Sequence, residues 1–380
     1  MKIIFTGDLS CSGIFSDRVR LNQEIFDKKL LNKINSVHNV VCNLEGPATT
    51  APNLYRSDYN VRSPENTIKY FTQRNISVFN LANNHIFDCG EIGFKDTTRK
   101  ILKYNKGYFG AGNDINEASQ PIYLEGEKIR ISLIGICHKE GLIASKIKPG
   151  IFCDEYDNTI KKTINNAKKN SDWVIVNYHG GEEYTRYPMP SRRKKLFKYL
   201  DYGANIIIAH HPHVFQGFEK VNKKLIFYSL GNFVFDIPQH RNKKYTDKSA
   251  LLKLKFTRNK ISFSFIPINI DVKNASISLN YSFSKEIKSL SNFSQYNYNW
   301  EKECFRLVCK DDELSRFKNS RLRYFIKKSP LLIIIGNALK IKRILKGKNY
   351  RPVLFGALVY YVKNIFFSYN RDNSSRSVKS

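Results

Sequence analysis

The chain has 380 residues and a formal net charge of +30, a length that holds one large domain with an appendage, or two domains. An apolar fraction of 42% with 13% aromatic residues excludes a disordered chain. The seven dispersed cysteines form no CxxC pair, which excludes a disulfide scaffold and a four-cysteine zinc site and leaves reduced, buried thiols.

In chain order, short apolar runs alternate with helical patterns up to about residue 236. Strands are predicted at 2–6 "KIIFT", 39–44 "NVVCNL", 77–82 "SVFNLA", 130–137 "RISLIGIC", 173–178 "WVIVNY", 205–210 "NIIIAH" and 224–230 "KLIFYSL". Helices are predicted near 22–35, 64–74, 91–104, 156–169 and 191–202. Strands apolar throughout, rather than at every second residue, imply sheets buried on both faces and an α/β architecture. Two alternating runs around "TRNK" in 250–270 read as a hairpin. Residues 271–312, rich in Ser and Asn, carry no legible pattern.

From Glu313 onward the chain holds sixteen Lys or Arg against Glu313 and Asp372, so nearly half the excess charge sits in its last fifth. In 321–369 basic clusters interleave with "LLIIIGNAL" and "VLFGALVYYVKNIFF". Each apolar run is too short or too interrupted to span a bilayer. The pattern suits basic helices lying on an anionic membrane surface; a basic helical hairpin packed on the main domain or on a partner is the competing reading, and nucleic acid ranks third. The N-terminal "MKIIFTGDLS" lacks a long apolar run and a small-residue cleavage site. No secretion signal is therefore expected, and the expected location is the cytoplasm, peripheral on the inner membrane face.

The chemistry-bearing residues gather just beyond strands. Asp8 and Ser10 follow the first strand, Asn43 and Glu45 the second, and Asn84, His85 and Asp88 the third. His179, Glu183 and Tyr184 follow a later strand; the next runs into "AHHPHVF", with His210, His211 and His213. Parallel strands of an α/β sheet place their carboxyl ends on one edge, where ligands bind. A mixed set of carboxylate, amide and imidazole there suits Mn, Fe, Zn or Mg.

The motifs "GDLS", "NLEGP", "NNHIFDCG", "HGGEEY", "HHPHVFQGFE" and "YSLGNFVFD" resemble, in that order, those of the bacterial CapA family, associated with poly-γ-glutamate capsule synthesis and related to the calcineurin-like metallophosphoesterases. The resemblance covers 1–270, followed by a connector over 271–312 and a basic appendage over 313–380. It implies a four-layer α-β-β-α sandwich with a basic helical C-terminal appendage, and one or two divalent metal ions. It implies Asp8, Glu45, Asn84, His179, His211 and His213 as metal ligands, with Glu45 in the bridging place and His210 structural. It implies His85, oriented by Asp88, as the group that meets phosphate or protonates the leaving oxygen. Ser10, Asn43, Glu183, Tyr184 and Asn232 fall to substrate contact or to support behind the ligands. Ser10 stands where the superfamily has a histidine, and Asn43 where diesterases have an aspartate. The implied activity is metal-dependent phosphoesterase chemistry in cell-surface polymer synthesis. The alternative is a non-catalytic assembly subunit that binds an acidic polymer or phosphorylated intermediate for a polymer synthetase.

Overall fold

The structure, a computed structural model, describes residues 1–54, 61–307 and 352–363. Among the described residues, sixteen strands follow in chain order. The first eight are β1 Lys2–Leu9, β2 Asn39–Leu44, β3 Ile76–Asn80, β4 Gly107–Phe109, β5 Ala111–Gly112, β6 Ile122–Gly126, β7 Ile129–Cys137 and β8 Gly150–Ile151. The rest are β9 Trp173–His179, β10 Ile206–His210, β11 Phe215–Val221, β12 Lys224–Leu230, β13 Asn232–Val234, β14 Lys248–Phe256, β15 Ile261–Asp271 and β16 Ser276–Leu279. One sheet runs β16-β15-β14-β1-β2-β3-β4, with β13 beside the end of β1; the other runs β11-β12-β10-β9-β7-β6. β5 and β8 form a separate pair.

Alternation inside each strand explains its unbroken apolarity. Ile3 and Phe5 of β1, Ile175 of β9 and Ile206 and Ile208 of β10 face the layer between the sheets. Their neighbours Ile4, Val40 and Cys42 pack under the helices Phe15–Arg20, Lys28–Asn35, Thr67–Thr72 and Gly90–Lys103. Val174, Val176, Ile207 and Ala209 pack under Asp157–Asn170 and Pro190–Tyr202. Three apolar layers separate four layers of structure, the predicted α-β-β-α sandwich.

The helix predicted near 22–35 covers only Lys28–Asn35, and a separate helix, Phe15–Arg20, precedes the predicted range. Asn22 adopts φ 52°, which stops the first; the Asp27 carboxylate accepts the Leu30 N–H at 2.7 Å and caps the second. Residues 271–306, without legible pattern, supply β16 and the helices Phe283–Leu290 and Tyr296–Arg306. Phe283, Ile287, Leu290, Tyr296, Trp300 and Cys304 from these helices are buried in the same apolar layer as the inner sheet faces.

The basic appendage predicted over 313–380 lies outside the described residues except for a helix over 352–363. Val353 and Ala357 of that helix are buried, and Gly356 sits where a Cβ would come within 2.8 Å of Cys304 Sγ. Phe355 and Val362 are exposed. Among the described residues, no helix is long and apolar enough to cross a membrane. The six described cysteines are free and buried.

Candidate metal centre

Strand register brings the polar residues together. Asp8 stands opposite Asn43 of β2 on one side and Asn232 of β13 on the other. Asn43 stands opposite Asn80 of β3, and His210 opposite His179 across β10 and β9. Two different sheets thus present carboxyl ends to one place. The loop after β10 bends sharply, with His211 at φ 96° and His213 at φ 57°. Left-handed backbone at two non-glycine residues is strained and concentrates at functional sites.

Two groups of side chains could each hold a cation, Asp8–Glu45–His213 and Glu45–His179–His211, with ligand atoms in each group within 4.8 Å of one another. Glu45 belongs to both. Its Oε1 lies 3.6 Å from His213 Nε2 and 3.9 Å from His179 Nε2. Asn84 Oδ1 is 2.9 Å from His179 Nε2, and His211 Nδ1 is 3.2 Å from the same nitrogen. Asp8 Oδ2 accepts the His211 backbone N–H at 3.2 Å and lies 3.5 Å from His213 Nδ1. All six residues predicted as ligands surround one region.

The electrostatics describe a site built for positive charge. Glu45 is fully buried, and neither carboxylate oxygen has a hydrogen-bond partner among the described residues. Burial, then the charges of Asp8, Glu183 and Asp88, push its carboxyl well above the ordinary range. A buried, unpaired carboxylate costs several kcal/mol, roughly, unless a cation meets it. The imidazoles of His179 and His211 are driven well below their ordinary value, by burial first and then by neighbouring histidines; both are therefore neutral and able to donate a lone pair. For Asp8, burial acts upward, but the hydrogen bond and charge of His210 and the charge of His213 outweigh it and lower the carboxyl. The donor set and the orphaned oxygens of Glu45 fit one or two divalent ions.

The remaining predicted residues divide by contact. His85 Nδ1 pairs with Asp88 Oδ2 at 2.8 Å, and both are partly exposed. Asn43 donates to Asp8 Oδ1 at 2.9 Å, and its amide nitrogen lies 3.1 Å from His179 Nδ1; it aligns ligands. Asn232 Oδ1 is 2.9 Å from His213 Nδ1, and its amide donates to the Thr246 carbonyl. Ser10 donates to the Val61 carbonyl at 2.7 Å, so its hydroxyl holds a loop. Glu183 is partly buried, with its charge acting on Glu45. Tyr184, at φ 62°, donates its backbone N–H to the Pro212 carbonyl.

Three further residues take their place from the structure. His210, expected to be structural, places Nδ1 3.4 Å from Asp8 Oδ1. Asn80 donates to Asn43 Oδ1 at 2.8 Å, and could have been found as the last residue of a strand parallel to β2. His240 lies outside all six motifs, yet its ring centroid is 4.3 Å from that of His213.

Over residues 2–237 the chain matches the sequence model of a family described as bacterial capsule synthesis protein PGA_cap. It is 35% identical over 226 residues to "Capsule biosynthesis protein CapA" of Bacillus anthracis, covering 57% of this chain and 54% of that protein. It is also 35% identical over 237 residues to "PGA biosynthesis protein CapA" of Bacillus subtilis, covering 61% of each. The match thus spans little more than half the length of these curated relatives. A putative 5'-nucleotidase structure from Staphylococcus aureus overlays with a TM-score of 0.41 at 11% identity, covering 76% of this chain and 58% of that one. Through a match that covers more than half of its residues, this chain belongs to the bacterial capsule synthesis protein family.

Proposed function

We propose that the protein is a metal-dependent phosphoesterase-type enzyme acting in the synthesis of a capsule or other cell-surface polymer. The observation that carries this reading is Glu45, shared by two candidate ligand groups and with neither buried oxygen hydrogen-bonded among the described residues. Asp8, Glu45 and His213 would hold one divalent ion; Glu45, Asn84, His179 and His211 would hold a second. Such ions supply charge stabilisation to phosphoryl oxygens and make bound water more acidic. Asp8 and Asn43, bonded to each other, hold the first two strand ends in register. His85, paired with Asp88, is placed to give a proton or hydrogen bond to a phosphoryl or leaving oxygen. The names of the CapA relatives supply the polymer context.

A second reading, a non-catalytic subunit that binds a phosphorylated or polyanionic chain for a synthetase, draws support from Ser10 and Asn43. Ser10 spends its hydroxyl on Val61, and Asn43 turns its amide nitrogen toward Asp8. Neither replaces the ligand atom that a histidine or an aspartate would offer there. In both readings the basic region 313–380 would rest on an anionic membrane surface, with exposed Phe355 and Val362 on its described helix.

The deciding experiment is metal analysis of chelator-free protein alongside hydrolysis of generic phosphomonoesters and diesters. Metal binding and turnover, both lost in Glu45→Ala and His211→Ala, support the enzyme. Metal binding without turnover, together with binding of an acidic polymer, supports the subunit. Retention of metal by both variants removes the ligand assignment.

A further inference from the structure

His240 belongs to none of the six motifs. It lies on the short helix Pro238–Arg241 after β13, and it is only 4% exposed. Its backbone is satisfied: the N–H donates to the Ile237 carbonyl, and the carbonyl accepts from Thr246 Oγ1. Its side chain is not, for neither Nδ1 nor Nε2 has a hydrogen-bond partner among the described residues. Leaving a buried polar group unpaired costs about 1–3 kcal/mol, so such groups call for an explanation.

The ring is held where it is. Arg241 pairs with both Asp236 oxygens at 2.7 and 2.5 Å. Asp236 in turn accepts the Ile14 N–H at 2.9 Å, and its carbonyl accepts from Ser12 Oγ. The turn carrying His240 is thereby tied to the loop that leaves Asp8. The imidazole stacks on Phe235 with centroids 5.0 Å apart and an interplanar angle of 21°, and it meets Tyr184 edge-on at 5.6 Å. Its remaining close ring neighbour is His213, at 4.3 Å. In either protonation state an imidazole offers at least one N–H donor.

We infer that His240 is a ligand-contacting residue of the metal centre, giving a hydrogen bond to an oxygen of the phosphate or other oxyanion bound beside His213. It supplements His85, which reaches the centre from the loop after β3. The inference rests on the reading of this site as one that takes divalent metal and an oxyanion.

The test uses full-length protein loaded with Mn²⁺, inorganic phosphate as the probe, and the variants His240→Phe and His240→Gln. Phe keeps the stack on Phe235 and His213 but cannot hydrogen-bond; Gln restores a donor. Metal stoichiometry is measured first, then phosphate affinity by calorimetry. Wild-type metal content is expected in both variants, with phosphate Kd weakened about tenfold or more in the Phe variant and largely recovered in the Gln variant. Wild-type phosphate affinity in the Phe variant overturns the inference, since the ring then serves only packing. Loss of metal from the Phe variant also overturns it, since the ring then supports the ligands. Absence of phosphate binding to metal-loaded wild type does the same. A wild type that takes up no metal is detected before phosphate is added; it fails the metal reading itself, and the inference falls with it.

Discussion

Replacing Glu45 with Gln separates the cost of the empty site from the benefit of filling it. In chelator-treated protein the Glu45 carboxyl is held well above its ordinary range by burial and by Asp8, Glu183 and Asp88. The sign follows from proton counting. Between the ordinary carboxylate value and the raised one, the folded state keeps a proton that the unfolded chain has released, so stability is present at low pH and lost as pH rises through that window. One proton sets the slope at about 1.4 kcal/mol per pH unit. The Gln variant cannot ionise, so without metal it should lack this slope and should melt above wild type at pH 8. Metal reverses the order. An ion at one hundred times its Kd stabilises wild type by about 2.7 kcal/mol, or roughly 4 °C for a folded body of about 300 residues. Most of that gain should vanish in the variant, which has lost the ligand common to both groups. Differential scanning fluorimetry from pH 5 to 8, with chelator or with Mn²⁺, reads both effects. A metal-free variant no more stable than wild type at pH 8, or one that keeps the full Mn²⁺ shift, would refute the reasoning.

Other outcomes follow from the same contacts. His85→Ala should lower phosphate-ester hydrolysis by about 10²–10⁴ with metal content unchanged, because His85 bonds to Asp88 rather than to a ligand; metal analysis beside initial rates checks this. Asp154, buried among His138, Lys195, Tyr178 and Arg192, should cost about 3–5 kcal/mol when changed to Asn, as read by urea melts. Burial acts upward on that carboxyl, yet His138 and Lys195 hold it well below its usual value. Its stabilisation is therefore present above the ordinary carboxylate range and lost on acidification, a loss the Asn variant should not share. Liposome flotation should be strong for the full chain on anionic vesicles, salt-sensitive, and lost when residues 314–380 are removed; equal flotation of both chains rejects the membrane role.

The central strands were legible because each is covered on both faces, and that condition leaves an unbroken apolar run such as Ile206–Ile208 between Asn205 and His210. Strand β11 was not, since Glu219 and Lys220 at its outer end interrupt the run. The candidate ligand residues could be singled out because they stand at the ends of predicted strands and in motifs that resemble a known family's; the register of β1 with β2 and of β9 with β10 then brings them to one place. His240 was invisible in a polar stretch, "DIPQHRNKK", and only the tie of Asp236 to the loop after β1 carries it to His213. The helices of 283–306 escaped notice because Ser and Asn, weak helix formers, separate their buried positions, although Phe283, Ile287 and Leu290 recur at the helical period.

Packing of these helices carries the folded body past the last motif. The motifs stop near 270, but a chain cut there would lose Phe283, Ile287, Leu290, Tyr296 and Trp300 from the layer between the sheets. Each such side chain contributes about 1.5–3 kcal/mol by burial, so the loss is on the order of 10 kcal/mol, as large as the whole stability of an ordinary domain. The cut would also unpair Arg186, which bonds Glu303 and Glu286, each at 2.9 Å. Arg306, which bonds the Tyr184 carbonyl at 2.8 Å, would go as well. These contacts brace the "HGGEEY" loop beside the candidate metal ligands, so the C-terminal helices belong mechanically to the candidate site. A chain ending at 270 should therefore fail to show a cooperative melt or a Mn²⁺-induced shift, whereas one ending at 307 should keep both. A cooperative, metal-responsive melt in the shorter chain would mean that the sandwich stands without these helices, and that their contacts with Arg186 and Tyr184 are incidental.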